Sequence, residues 1–131
     1  GKGMTLYALG EYEDALDSYN KSVAADPSNA DVWNNKGITF LAMGNYEMAL
    51  ESYNKSLEII PEDKKALNGK ANALMNLGKY EDALVYFSKV IDLDPSDAAA
   101  WNSKGLILVK LDRKGEANAA YAKAKGLGYN I

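Results

Sequence analysis

Three asparagines, Asn34, Asn68 and Asn102, stand 34 residues apart and offer the clearest chemical pattern in the sequence. A side-chain amide both donates and accepts hydrogen bonds, so a row of amides can hold the backbone of an extended peptide without reading its side chains. Duplication of one segment would produce the same spacing, and Asn20 and Asn54 form a second pair of this kind. The sequence leaves both interpretations open.

Residues suited to catalysis or metal binding are scarce. The 131 residues contain no histidine and no cysteine, which removes the commonest general base, the commonest zinc ligand and any thiolate nucleophile. Segment 1–5 resembles a phosphate loop in composition only, because the upstream strand and the first glycine are missing. Asp92 and Asp94 lack a loop that would complete a ring of cation ligands. We therefore predict no enzyme activity, no cofactor and no metal site.

Charge and hydropathy exclude two classes of partner. The net charge of -3 and the pI near 5.0 argue against nucleic acid, which requires clustered Lys and Arg. The longest purely aliphatic stretch is 106–109, far too short to span a membrane. We therefore expect neither nucleic acid nor a membrane as a partner, and we expect a cytoplasmic location.

A period of 34 residues organises the whole chain. The sequence Tyr-Glu-Xaa-Ala-Leu begins at Tyr12, Tyr46 and Tyr80, and a period of this size predicts a stack of similar supersecondary units. Each full unit has two segments of helical periodicity. The first segments are predicted over about 30–42, 64–76 and 98–110, and the second over about 12–25, 46–59 and 80–93.

Local signals predict where these helices begin and end. The first helices follow the N-cap residues Asn29, Asp63 and Asp97. They are predicted to end at Gly10, Gly44 and Gly78, because glycine adopts the left-handed conformation at least cost. Prolines close the second helices at Pro27, Pro61 and Pro95. Small residues such as Gly37 are predicted to lie against alanines such as Ala49, which would let the two helices approach closely.

The combined pattern resembles the tetratricopeptide repeat. The second unit carries the family's residue types at Trp33, Gly37, Phe40, Ala49, Tyr53, Ser56 and Pro61. The resemblance implies an all-α fold, a right-handed α-solenoid of antiparallel helix pairs. It also implies that Trp33 and Trp101 pack between helices. One array of about 3.8 repeats would cover 1–131, divided at about 1–29 (truncated at the front, as in a fragment), 30–63, 64–97 and 98–131.

The last unit departs from the pattern on one face. Three apolar positions of the second helix become Lys114, Asn118 and Lys125. A helical array needs a water-compatible face at its end, so we predict that this unit is a natural cap.

Family geometry also implies a binding surface. The first helices would line a concave groove that holds an extended or helical peptide segment. The implied groove residues are Met4, Tyr7, Asp31, Asn34, Ile38, Leu41, Lys65, Asn68, Asn72, Met75, Asn102, Leu106 and Val109.

One known family activity is excluded. Members that grip a C-terminal carboxylate need a clamp of Lys, Asn and Arg, but Met4 replaces the asparagine and Gly69 the arginine. The predicted function is a non-enzymatic protein-interaction scaffold. The alternative is a structural spacer, or a segment that self-associates through its front end at Leu6 and Leu9.

Overall fold

The structure, a computed structural model, describes the backbone of residues 2–129 and the side chains of residues 10–129. Over residues 2–129 it consists of seven α-helices without a β-strand. The all-α fold is confirmed, and the five helices predicted between residues 30 and 110 match α2 to α6 within one residue. The helices are α1 (Lys2–Ala25), α2 (Ala30–Met43), α3 (Tyr46–Ile59), α4 (Lys64–Asn76), α5 (Tyr80–Leu93), α6 (Ala98–Lys110) and α7 (Lys114–Gly126).

Contacts divide the chain into two compact units, Gly1–Gly69 (unit 1) and Lys70–Ile131 (unit 2). Within unit 1, α2 packs against α1 and α3. Within unit 2, α6 packs against α5 and α7. The first helix of a repeat, α2 in unit 1 and α6 in unit 2, therefore contacts the helix before it and the helix after it in the sequence.

The starts and ends of the helices follow the local signals. Asn29, Asp63 and Asp97 each accept a backbone N–H bond of 3.1 Å in the first turn of α2, α4 and α6. The three predicted N-caps are therefore confirmed. Gly44 and Gly78 follow α2 and α4 with φ angles of 79° and 78°, in the left-handed region where glycine is unstrained.

The prediction that a helix ends at Gly10 is wrong, because α1 runs unbroken from Lys2 to Ala25. Glu11 follows Gly10, whereas the corresponding residue before α3 is Asn45, whose side chain accepts a 3.4 Å bond from the Met48 N–H. No comparable cap exists at Glu11. A continuous helix keeps its backbone hydrogen bonds there and avoids four unsatisfied N–H groups and four unsatisfied C=O groups.

Asp112 takes the place of the glycine after α6 and has a φ of 59°. The left-handed region costs an ordinary residue about 1–2 kcal/mol, and aspartate somewhat less. We expect Asp112→Gly to raise the free energy of unfolding by about 0.5 kcal/mol, since the relief exceeds the extra entropy of an unfolded glycine. Urea denaturation measures the change. Gly44→Ala is the matched control and should lower stability by about 1 kcal/mol; a loss of stability in Asp112→Gly would contradict the argument.

Tyr53 has the largest fully buried side chain among the residues of unit 1 whose side chains the structure describes. Tyr53 is 1% exposed, and its burial raises the pKa of its hydroxyl to about 12. A Cβ atom at Gly37 would come within 2.7 Å of the ring, and one at Gly69 within 2.2 Å. Ala49 is fully buried, but the atoms that a Cβ at Gly37 would meet first belong to Tyr53. The two glycines therefore make room for an aromatic ring.

Unit 2 has a core of its own between α5, α6 and α7. Phe87 and Val90 of α5 and Ile107 of α6 are fully buried. A further buried cluster joins α6 to α7, and its members with the half-buried residues packed on them are Leu108, Ala117, Ala120, Leu84, Trp101 and Tyr121.

The face of α7 that was predicted to end the array is polar and exposed. Lys114, Asn118 and Lys125 all lie on the surface of unit 2. Beyond the helix, the Tyr129 N–H bonds to the Ala124 carbonyl at 3.0 Å, which closes the last turn.

Candidate functional site

The residues predicted to bind a peptide lie on α1, α2, α4 and α6. On α2, for example, Asn34, Ile38 and Leu41 recur at i, i+4 and i+7 and share one face of the helix. The corresponding triplets on α4 and α6 are 68, 72, 75 and 102, 106, 109. Met4 and Tyr7 belong to α1, but their side chains lie outside the described residues.

In unit 1 this face of α2 carries the exposed side chain of Ile38, and in unit 2 the corresponding face of α6 carries those of Leu106 and Val109. Their exposed fractions are 55%, 43% and 45%. Leu41 and Met75 are half-buried. Because α2 and α6 each bury other residues in their units, such as Gly37 and Ile107, these apolar side chains are held on packed helices. Each unit therefore presents apolar surface that a partner could cover.

Polar members of the predicted set differ in exposure. Asp31 and Lys65 are exposed in the first turns of α2 and α4. Asn68 and Asn72 of α4 and Asn102 of α6 are half-buried.

Asn34 is different, because it is only 5% exposed. Its Nδ2 donates to the Asp63 carboxylate at 2.8 Å, while the other oxygen of that carboxylate accepts from the Lys65 N–H. Its Oδ1 is buried and has no hydrogen-bond partner among the described residues. Asn34 thus ties α2 to the N-cap of α4, and its role in peptide binding stays a prediction.

The partner role of Asp63 was missed in the sequence. Asp63 was recognised as an N-cap, which uses only one of its carboxylate oxygens. A carboxylate has two oxygens, so a capping aspartate still has one oxygen that can accept from another donor. That free oxygen was the signal in the sequence for a second partner of Asp63.

We expect Asn34→Ala to lower the free energy of unfolding by about 2 kcal/mol, because a partly buried hydrogen bond to a charged group is lost. Asn35→Ala is the matched control, since Asn35 is the adjacent amide on the exposed side of α2, and it should change stability by less than about 0.5 kcal/mol. Urea denaturation compares the two variants. Equal effects would show that the bond to Asp63 does not stabilise unit 1.

The two tryptophans fasten loops to helices. Trp33 and Trp101 are half-buried, and each indole Nε1–H donates to a proline carbonyl at 2.9 Å, that of Pro27 or Pro95. Each indole therefore holds the loop that precedes its own helix, as expected for a packing residue.

The acidic residues near the end of α5 form a turn. Asp94 accepts bonds of 3.2 and 2.7 Å from the N–H and the Oγ of Ser96, and Asp92 is exposed. Across the part of the chain that the structure describes, no three His, Cys, Asp or Glu side chains converge as metal ligands would. Within the same residues, none of the helices combines the length and the apolarity needed to cross a bilayer.

Solved structures with the same fold include MamA. A crystal structure of MamA superimposes with a TM-score of 0.87 at 23% identity, covering 98% of this chain and 75% of the MamA chain. MamA from Desulfovibrio magneticus RS-1 gives a TM-score of 0.85 at 24% identity, with 95% and 71% covered. Identity at this level shows the shared fold alone. The sequence matches no curated protein.

Family patterns match nearly the whole length. The tetratricopeptide repeat matches residues 30–63, 65–97 and 98–127, and a pattern described as TPR repeat matches residues 3–44. Together with the caps, the buried small residues and the repeated helix pairs, these matches show that the chain belongs to the tetratricopeptide-repeat family, whose repeats serve as protein-interaction scaffolds.

Proposed function

We propose that the chain is a non-enzymatic scaffold that binds a peptide segment of another protein on the exposed face of its first helices. The observation that carries the proposal is the exposure of Ile38, Leu106 and Val109 on that face. The proposal includes a cytoplasmic location, no nucleic-acid ligand and the repeat boundaries deduced from the sequence.

The chemistry of the face fits a peptide. On α6, the half-buried amide of Asn102 lies one turn from Leu106 and two turns from Val109, so a polar group and two apolar anchors share one stripe. Covering the exposed part of each apolar side chain contributes about 1 kcal/mol to binding. A peptide that presents apolar side chains and backbone hydrogen-bonding groups is the partner that such a stripe favours.

The test is a titration with a selected peptide. Peptides are selected on the intact chain from a random library, and the tightest binder is labelled and titrated by fluorescence anisotropy. We expect the double variant Leu106→Asn and Val109→Asn to weaken binding about tenfold or more, because two apolar contacts are lost. Val85→Asn is the matched control, since Val85 is 50% exposed but lies on α5, and it should leave binding unchanged.

Two results would contradict the proposal. Unchanged binding in the α6 double variant would show that the stripe is not the contact surface. An equal loss in Val85→Asn would show that the peptide responds to general surface hydrophobicity.

A further inference from the structure

Unit 2 contains a pocket of about 540 Å³ between α5, α6 and α7. This volume falls in the ~300–1,000 Å³ range of small-ligand sites. Its apolar lining includes Leu84 of α5 and Trp101 and Leu108 of α6. At 100° per residue, the α6 residues that line it lie about 140° around the helix from the stripe of Leu106 and Val109. The pocket is therefore a second surface, separate from the one proposed above.

Small side chains on α7 leave this space open. Ala119 and Ala120 line the pocket, whereas the corresponding residues of α3 are the larger Glu51 and Ser52. At the position of Leu108, the second repeat has the larger Phe40 and the third repeat has Leu74. An aromatic or leucine side chain from outside would fill the volume that these alanines leave.

On one side of the pocket, Arg113 and Glu116 form an ion pair whose hydrogen bonds are made within the pair. Arg113 contacts the Glu116 carboxylate through two hydrogen bonds, from Nε at 2.6 Å and from Nη2 at 3.0 Å. This pairing lowers the pKa of Glu116 and keeps it ionised. The charge of Glu116 is thus balanced by Arg113, and a second carboxylate, Glu81, also acts on Arg113.

Two lysines give the rest of the pocket its charge. Lys104 and Lys123 both line it, and the Lys104 Nζ lies 5.3 Å from the centroid of the Trp101 ring. The lining holds three cations and one carboxylate, and Lys104 also acts on that carboxylate, Glu116. When Glu81 is counted as well, three cations stand against two carboxylates, on a chain whose net charge is -3. The pocket is therefore a local positive site, and it attracts anionic groups that approach an apolar, aromatic lining.

We propose that this pocket binds an acidic peptide segment of another protein, with one aromatic side chain as its anchor. The anchor packs against Trp101, Leu84 and Leu108, and the flanking carboxylates of the peptide reach Lys104 and Lys123. A polynucleotide fits less well, because the lining around the anchor is apolar and the net charge of the chain repels a continuous polyanion.

The experiment uses the intact chain and the peptide acetyl-EEFEE-amide. Trp33 and Trp101 are the only tryptophans, so the indole N–H signals in a two-dimensional NMR spectrum report on one residue in each unit. We expect a saturable shift of the Trp101 signal while the Trp33 signal stays in place. Acetyl-EEAEE-amide, which lacks the anchor, and acetyl-KKFKK-amide, which reverses the charge, should each bind about tenfold more weakly.

Variants separate the contributions of charge and shape. Ala119→Phe adds a ring at an exposed position that lines the pocket, so it should abolish the shift without unfolding the chain. Lys123→Glu should weaken binding about tenfold. Lys55→Glu changes the corresponding residue of unit 1 and should leave binding intact. Circular dichroism verifies the fold of each variant, and the Leu106 and Val109 double variant should bind acetyl-EEFEE-amide normally.

Several results would overturn the proposal. The proposal is wrong if acetyl-EEFEE-amide does not shift the Trp101 signal, or if it shifts the Trp33 and Trp101 signals equally. Unchanged binding of the peptide to Ala119→Phe would also contradict it. A Trp101 shift with oligouridylate that exceeds the shift with the peptide would assign the pocket to nucleic acid instead. If sedimentation shows a dimer, and the Trp101 shift is lost at concentrations where the dimer forms, the pocket binds a second copy of the chain instead.

Discussion

Replacing Phe87 with alanine should lower the free energy of unfolding by about 3–5 kcal/mol, one of the two largest losses expected for a single substitution in this chain. Phe87 is fully buried in α5 and, with Val90, forms part of the core of unit 2. Truncation removes most of an aromatic side chain from that core and leaves a cavity that rigid helices fill only in part. Urea denaturation followed by circular dichroism measures the loss.

Two further variants define what the Phe87 result means. Phe87→Leu keeps an apolar side chain of similar bulk and should cost less than about 1.5 kcal/mol. Val85→Ala lies on the same helix but is 50% exposed, and it should change stability by less than about 0.5 kcal/mol. A loss below 1.5 kcal/mol in Phe87→Ala would show that unit 2 collapses around the site.

Helix boundaries were predictable because several local signals coincide at each end. Asn29, Asp63 and Asp97 cap helices that begin where the apolar periodicity begins, and Gly44 and Gly78 adopt the positive φ that ends them. These signals act within one or two helical turns, so they need no knowledge of the rest of the fold.

Gly10 shows where local signals fail. Glycine permits a left-handed residue but does not require one, and Glu11 supplies no cap for a new helix. A cap is not obligatory either, because α5 begins at Tyr80 although the preceding residue, Lys79, makes no side-chain cap bond. The choice between a turn and a continuous helix thus depends on packing, which a single repeat unit does not encode.

The candidate sites were predictable to different degrees. The exposed stripe of Leu106 and Val109 follows from helical periodicity, since residues opposite the buried face point to water. The burial of Asn34 depends on where Asp63 lies in space. The pocket on α7 depends on the volumes of Ala119 and its neighbours, which periodicity does not measure.

Substituting Gly69 with alanine should destabilise unit 1 by about 3 kcal/mol. The new Cβ would lie 2.2 Å from the Cζ of Tyr53 and 2.4 Å from its Cε1. Gly37 lies against the same ring, where a Cβ would also come within 3 Å, and Tyr53 is 1% exposed. Because the ring has no room to move, the helices must separate, and the loss of packing exceeds the helical propensity that alanine adds.

Gly10→Ala is the matched control for this substitution. Gly10 lies inside α1, and its Cβ would meet nothing within 4 Å. Alanine there should raise the free energy of unfolding by about 0.5–1 kcal/mol, because it favours the helix and reduces the entropy of the unfolded chain. A fall in the free energy of unfolding of Gly10→Ala would indicate a left-handed turn at Gly10, so this control also tests the continuity of α1.

The double variant Gly69→Ala with Tyr53→Leu isolates the contact itself. Leucine removes the ring atoms that the new Cβ would strike, so the alanine should cost at least about 1 kcal/mol less in this background than beside tyrosine. Both single variants and the double variant are measured by urea denaturation under one set of conditions. If Gly69→Ala costs the same with either residue at position 53, the ring of Tyr53 is not what excludes a side chain from Gly69, and the packing described for the core of unit 1 is incorrect.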